Sequence, residues 1–173
     1  MRTVIVAASL MAAPASAEIF IDIGAGFSQI ESKIANRSDT IDRSETGAHL
    51  GVGARRSIGE RSDLGVRVEI DTLGSDVLLA LRAFDYRYHI SNRFALSAFL
   101  GAARLDLATP AYGFYLGGGG QWKDVISGWD LSLDLRIGDK VARDNLLPSD
   151  PQGGSPDNFH DIYGVSVSMS YRF

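Results

Sequence analysis

The 173-residue chain contains no cysteine, which excludes a disulfide framework and any thiolate-based site. It also has no excess of basic residues, because 17 Lys and Arg face 21 Asp and Glu. That balance argues against a nucleic-acid partner, which would favour a basic face. After residue 17, no stretch approaches ~18 consecutive apolar residues, so no transmembrane helix is predicted. No segment combines a helical period with capping residues.

The first 17 residues have the features of a secretory signal peptide. Arg2 precedes a short apolar run, Val4–Ala13, and the small residues Ala15, Ser16 and Ala17 follow it. The apolar run is too short to span a bilayer as a helix, which needs roughly 20 residues. We therefore predict a signal peptide over residues 1–17 and one mature domain over 18–173, beginning at Glu18.

The mature chain repeatedly alternates apolar and polar residues with a period of two, which predicts β-strands. The clearest internal case is 129–138, where Trp129 and every second residue up to Ile137 are apolar. The chain ends on the same pattern in residues 163–173, YGVSVSMSYRF. Eight such segments predict an all-β fold, a closed eight-stranded antiparallel transmembrane β-barrel in up-and-down meander order.

Two features favour lipid outside and a polar lumen inside over the reverse arrangement of a soluble barrel. The polar face is rich in glycine and serine, which suits a narrow interior. Aromatic residues cluster at strand ends expected at one interface, as in an aromatic girdle. These aromatic residues are Tyr86, Tyr88, Phe94, Trp122, Trp129, Tyr171 and Phe173.

Two strands and the connections need further assumptions. The apolar phase changes within 77–90, which a β-bulge near Ala83 would reconcile, and 94–107 has a similar conflict between Leu96 and Leu105. Short turns are predicted on one rim and longer connections on the other, as in outer-membrane barrels. The short turns are 57–62, 91–93 and 124–128, and the longer connections are 32–45, 72–76, 108–111 and 144–159.

The polar face predicts a network of paired charges in the lumen, because an isolated buried charge is costly. The predicted members are Asp22, Arg67, Glu69, Asp71, Arg104, Asp106, Asp130, Asp134, Arg136 and Arg172. His49 and Arg55 lie on the same face, and Asp85 and Arg87 are expected to join it. The network is a structural salt-bridge plug, or a proton or ion site, or part of a narrow, gated channel for ions or small solutes. No metal site is predicted, because the three histidines lie on different segments.

The stretch His89-Ile90-Ser91-Asn92 resembles the His-x-Ser-Asn motif of outer-membrane lipid A 3-O-deacylases, in which His activates Ser. Here the motif falls at a predicted turn on the periplasmic side, away from the outer leaflet. Ser91 and Asn92 are therefore expected to form the turn, and lipid A modification is the least favoured function.

The segments FDYRYHISNRFALSAFLGA (84–102), YGFYLGGGGQWK (112–123) and WDLSLDLRIGD (129–139) give the chain a wider resemblance. It resembles the small eight-stranded outer-membrane barrels, which include OmpA-type transmembrane domains, OmpX-like proteins and opacity-type surface proteins. The resemblance implies the outer membrane of a Gram-negative bacterium, extracellular loops, lipopolysaccharide contact and no cofactor. Members of this superfamily differ widely in role, so the resemblance does not pass on a function. The favoured hypothesis is a structural or surface-interaction role without enzymatic activity, with 32–45 and 144–159 as contact surfaces.

The last strand also resembles the signal that the barrel-assembly machinery reads on outer-membrane proteins. Its alternate apolar positions and terminal aromatic are Val165, Val167, Met169, Tyr171 and Phe173. The assembly machinery is therefore an expected partner during biogenesis.

Overall fold

The structure is a computed structural model that describes residues 17–34, 40–106, 110–143 and 158–173. These residues form eight β-strands and no helix, and accordingly no helix among them could cross a membrane. The strands are β1 (Glu18–Ile34), β2 (Thr40–Gly59), β3 (Ser62–Leu73), β4 (Asp76–His89), β5 (Phe94–Asp106), β6 (Ala111–Ile126), β7 (Trp129–Arg143) and β8 (Asn158–Arg172). Apart from Ala17, the predicted signal peptide lies outside the described residues.

Each strand pairs antiparallel with the next, and β8 pairs with β1 to close the barrel. The closing seam runs from Phe20 opposite Arg172 to Ile34 opposite Asn158. The predicted closed, eight-stranded, up-and-down barrel is therefore confirmed. We call the end that carries Glu18 and Phe173 the terminal rim and the opposite end the distal rim.

The connections at the terminal rim are short, as predicted, and comprise residues 60–61, 90–93 and 127–128. The distal ends of the strands differ from the prediction. Most of the predicted connection 32–45 is strand, because β1 continues to Ile34 and β2 begins at Thr40. The prediction of a longer connection at 72–76 is wrong. Gly74 and Ser75 alone join β3 to β4, and Gly74 has φ +62°. Residues 107–109 and 144–157 lie outside the described residues.

The predicted bulge in β4 is confirmed. Arg82 lies opposite Gly101 and Phe84 lies opposite Leu100, so Ala83 has no partner on β5. A bulge shifts the alternation by one residue, and even-numbered residues therefore face inward before it and odd-numbered residues after it. The β5–β6 register is unbroken from Phe94 to Leu105, so no bulge explains the conflict predicted in 94–107.

Candidate functional site

The outward face of the barrel is an apolar band with an aromatic band at each end. Among the described residues, Tyr88, Trp122, Tyr171 and Phe173 mark the terminal side, and Phe27, Tyr112, Phe114 and Tyr163 mark the distal side. On β6, Trp122 lies ten positions after Tyr112. At a rise of ~3.4 Å per residue and a tilt of ~40°, they span about 26 Å along the barrel axis. That matches the ~25 Å apolar band of transmembrane barrels.

The lumen between these bands contains a network of buried charges. Arg67 lies 3.0 Å from Asp22 and 3.1 Å from Asp85. Arg82 lies 2.7 Å from Glu69 and 2.8 Å from Asp134, so one guanidinium joins two carboxylates on different strands. All of these side chains are 6% exposed or less.

The network continues on β2, β7 and β8. Asp71 accepts a hydrogen bond from Arg136 and pairs with the His49 ring at 2.7 Å. At the terminal rim, Asp130 lies 3.2 Å from Arg172, which is partly exposed. These contacts tie strands together across the lumen as well as along the wall.

Arg104 and Asp106 do not belong to the network, which corrects the sequence prediction. They pair with each other at 2.7 Å on the outer surface, with side chains 40% and 49% exposed. Leu105 between them points inward and is fully buried. Arg104 lies opposite Tyr112 of the distal aromatic band, with its guanidinium carbon 5.7 Å from that ring, and Asp106 lies two residues nearer the distal end of β5. At this depth the outward face begins to meet water, so a charged side chain outside and an apolar side chain inside are favourable.

Several lumen residues were not included in the predicted set. Arg82 was missed because the position of the β4 bulge decides whether it faces inward. Tyr115 donates a hydrogen bond of 2.6 Å to Glu69, and Gln121 donates one of 3.1 Å to Asp130. Alternation with the outward-facing Phe114 and Leu116 marks Tyr115 as inward, but its hydrogen-bond partner could not be predicted.

Phe20 lies fully buried among three arginines at the terminal side of the lumen. The Arg55, Arg67 and Arg87 guanidinium carbons lie 4.1, 5.0 and 5.7 Å from the ring centroid. Cations over an aromatic face are attracted by its quadrupole. An apolar residue on the predicted polar face is thus part of the charge network.

The distal part of the lumen is filled by apolar side chains that we call the distal plug. Every strand except β2 contributes at least one residue to this cluster. Its six isoleucine, leucine and valine members are all 2% exposed or less: Ile30, Leu73, Leu78, Leu105, Val141 and Ile162. Between the plug and the terminal rim, the charged residues of the network are also buried, apart from the partly exposed Arg172. The described residues therefore leave no continuous water path through the barrel, as the small interior of an eight-stranded barrel favours.

The His89-Ser91 motif does not form a catalytic pair. His89 Nε2 lies 2.7 Å from Asp63, whereas the Ser91 hydroxyl accepts hydrogen bonds from the backbone N–H groups of Arg93 and Phe94. Ser91 thus stabilises the turn at the terminal rim, as the sequence predicted. Among the described residues, no three His, Asp or Glu side chains are arranged to hold a metal ion.

The alternate residues of the last strand face outward. Val165, Val167, Tyr171 and Phe173 are all among the exposed large apolar residues, and Phe173 is 74% exposed. Tyr171 packs on both Trp129 and Phe173, with ring centroids 5.2 Å apart in each pair. The expected assembly signal therefore lies on the lipid-facing side of the terminal rim, and its role stays a prediction.

No protein-family model matches the chain, and no curated protein matches it in sequence. Solved structures do match. Ail, the attachment invasion locus protein of Yersinia pestis, has a TM-score of 0.55 at 12% identity, covering 91% of this chain and 99% of Ail. Ail has also been solved with the heparin analogue sucrose octasulfate (TM-score 0.52, 13% identity, 91% and 99% coverage). Neisserial surface protein A has a TM-score of 0.51 at 13% identity, covering 88% of this chain and 97% of that protein. At these identities the similarity establishes the fold, so the chain has the fold of the small eight-stranded outer-membrane β-barrels.

Proposed function

We propose that this protein is an integral outer-membrane barrel protein of a Gram-negative bacterium that acts through its distal rim as a surface-interaction protein, without enzymatic activity. The observation that carries the proposal is the distal plug together with the buried charge network. A barrel with no water path through its described residues has only its outer wall and its rims for contact with other molecules.

The two alternatives have less support. A narrow channel would need a wetted lumen, but apolar constrictions exclude water and ions. A lipid A-modifying enzyme of the deacylase type would need His89 to activate Ser91, and these two side chains have separate partners. Lipopolysaccharide against the outer wall and the barrel-assembly machinery during biogenesis remain proposed partners.

A sulfated ligand like that of Ail is not proposed for this chain. Three cations near the distal rim already have carboxylate neighbours: Lys33 with Asp161 at 2.8 Å, Arg43 with Asp76, and Arg104 with Asp106. A paired cation attracts a polyanion far less than a free one. The excess of acidic over basic residues in the chain also weakens its attraction for a polyanion.

Cell-surface labelling tests the proposed orientation. The chain has no cysteine, so Ser75→Cys introduces a single thiol at the distal turn, and Glu60→Cys introduces one at an exposed position on the terminal rim. A membrane-impermeant maleimide should label Ser75→Cys on intact cells, whereas Glu60→Cys should react only after lysis. The opposite pattern would place the terminal rim outside and refute the proposal.

A further inference from the structure

A cleft of about 420 Å³ lies at the terminal rim, between the turn that joins β2 to β3 and the turn that joins β4 to β5. Its volume is within the range of roughly 300–1,000 Å³ that small-molecule sites occupy. None of the residues that line it belongs to the buried charge network of the lumen. The polar residues of the lining are Glu60, Arg61, His89, Ser91, Asn92 and Lys123.

Two residues of the β4–β5 turn bring neutral hydrogen-bond donors to the cleft. Ser91 Oγ accepts hydrogen bonds from the backbone N–H groups of Arg93 and Phe94, so the proton of the hydroxyl is left free to donate. The side-chain amide of Asn92 carries two further N–H donors. Because the backbone holds Ser91 Oγ in place, this donor is positioned before any ligand binds.

His89 brings a nitrogen atom that the barrel does not use. Its Nε2 lies 2.7 Å from Asp63, and its Nδ1 is buried without a hydrogen-bond partner among the described residues. An ionised carboxylate can only accept a hydrogen bond, so Nε2 carries a proton in this contact. Nδ1 also carries a proton when the ring is charged, and it can then donate to an anion.

Arg61 and Lys123 give the cleft two cations without carboxylate partners. Three carboxylates of the terminal rim are already paired with His89 or Arg172: Asp63, Asp124 and Asp130. Among the described residues, neither Arg61 nor Lys123 forms an ion pair, in contrast to the paired cations near the distal rim. Glu60 alone is acidic among the described residues that line the cleft, and it is exposed to water, which screens its charge.

We propose that this cleft binds a phosphate group, held by Arg61 and Lys123 together with the donors of Ser91, Asn92 and His89. Hydrogen bonds from a cation to phosphate are roughly twice as strong as those between neutral groups. The donors come from three separate segments of the chain, which suits the tetrahedral oxygens of phosphate better than a planar carboxylate. In the proposed orientation the cleft faces the periplasm, where the phosphate belongs to a phospholipid headgroup or to a free phosphate.

A phosphate titration followed by NMR tests the site. Isotopically labelled protein is refolded into maltoside micelles, because this detergent contains no phosphate. Inorganic phosphate at constant ionic strength should shift the backbone amide signals of Ser91, Asn92 and Lys123 until they saturate, whereas the signal of Ser75 at the distal turn should stay in place. Acetate should give no saturating shift. No saturating shift with phosphate, or the same shift with acetate, would overturn the proposal.

Charge variants add matched controls to the titration. Lys123→Gln should weaken phosphate binding about tenfold, as expected for the loss of a charge-assisted hydrogen bond, and Glu60→Gln should tighten it about two- to fivefold. Lys33→Gln removes a cation that is paired with Asp161 at the distal rim and should change nothing. Equal weakening by Lys123→Gln and Lys33→Gln, or weaker binding by Glu60→Gln, would overturn the proposal.

A heat-modified gel shift shows that each variant is folded. Arg61→Gln, on an exposed turn, replaces Lys123→Gln if that variant fails this check, and the same tenfold loss is expected. A general loss of structure cannot explain both weaker binding in one variant and tighter binding in Glu60→Gln.

Two lipids added to the same micelles distinguish the phosphate sources. Dihexanoyl phosphatidylglycerol carries a phosphodiester, and dihexanoylglycerol is its counterpart without phosphate. A headgroup ligand predicts saturation by the phospholipid at a lower concentration than by inorganic phosphate, and a free phosphate predicts the reverse order. Equal shifts with the two lipids would mean that the acyl chains are recognised, which would refute a phosphate site for the lipid.

The outcome of these titrations is independent of the proposed function. Micelles expose both rims, so the cleft binds phosphate in them whichever rim faces outside in the cell. Absence of phosphate binding would leave the labelling result of Ser75→Cys and Glu60→Cys intact. Failure of the labelling test with selective phosphate binding would refute the orientation alone and place the cleft on the cell surface.

Discussion

Replacing Arg82 with methionine should destabilise the barrel strongly. Arg82 is fully buried and lies within 2.8 Å of both Glu69 and Asp134. Its guanidinium also lies 3.4 Å from the centroid of the Phe99 ring. Methionine fills much of the same volume but removes the nearest cation of two buried carboxylates, which keep only the more distant Arg67 at 3.5 and 4.0 Å. Removing one partner of a buried ion pair costs about 3–5 kcal/mol, so we expect a loss of that order in the free energy of unfolding.

Arg104→Met is the matched control. Arg104 also pairs with a carboxylate, at 2.7 Å, but on the exposed outer surface, where water screens the charges. Urea unfolding in detergent micelles, followed by tryptophan fluorescence, would compare the two variants with the unsubstituted protein. We expect a large decrease in the midpoint for Arg82→Met and almost none for Arg104→Met. Equal decreases would mean that the inward and outward assignments of these arginines are wrong.

Three further predictions concern the wall and the termini. Leu133→Arg should cost ~2–4 kcal/mol in unfolding free energy, because Leu133 faces lipid; Ile126→Arg, at an exposed position by the terminal interface, should cost about 0–1 kcal/mol, and equal losses would refute the midplane position of Leu133. Intact-mass measurement of the membrane-extracted protein should show Glu18 as its first residue, and a mass that includes residues 1–17 would refute the signal peptide. Phe173→Asp should lower outer-membrane levels in cells while still refolding into micelles; wild-type levels in cells would refute the assembly signal.

The barrel itself could be predicted from the sequence because alternation is a local property of each strand. The eight segments, the closed order and the bulge at Ala83 all follow from which residues share a face. The ends of the strands could not be predicted in the same way. Residues 40–45 were predicted to be part of a polar connection, yet they continue β2 because β1 supplies a backbone partner along their whole length.

The distal plug shows where the expectation of a polar lumen and an apolar outer wall fails. A transmembrane barrel has its polar side chains inside only at the depth where the outer wall meets lipid. From the level of the distal aromatic band outward the wall begins to meet water, and the preference reverses: Arg104 and Asp106 face outward, and Leu105 faces inward. The sequence does not mark that depth, so the charged residues were assigned to the lumen. The contact of Arg82 with two carboxylates also required the three-dimensional register, because its partners lie on β3 and β7.

Planar-bilayer recording tests the central claim, a lumen sealed by the distal plug and the charge network. The purified, refolded protein should give no stepwise conductance, because apolar side chains 2% exposed or less fill the distal lumen and exclude water. A heat-modified gel shift on the same sample shows that folded barrels are present. Reproducible single-channel steps from that sample would contradict the sealed lumen and favour a channel.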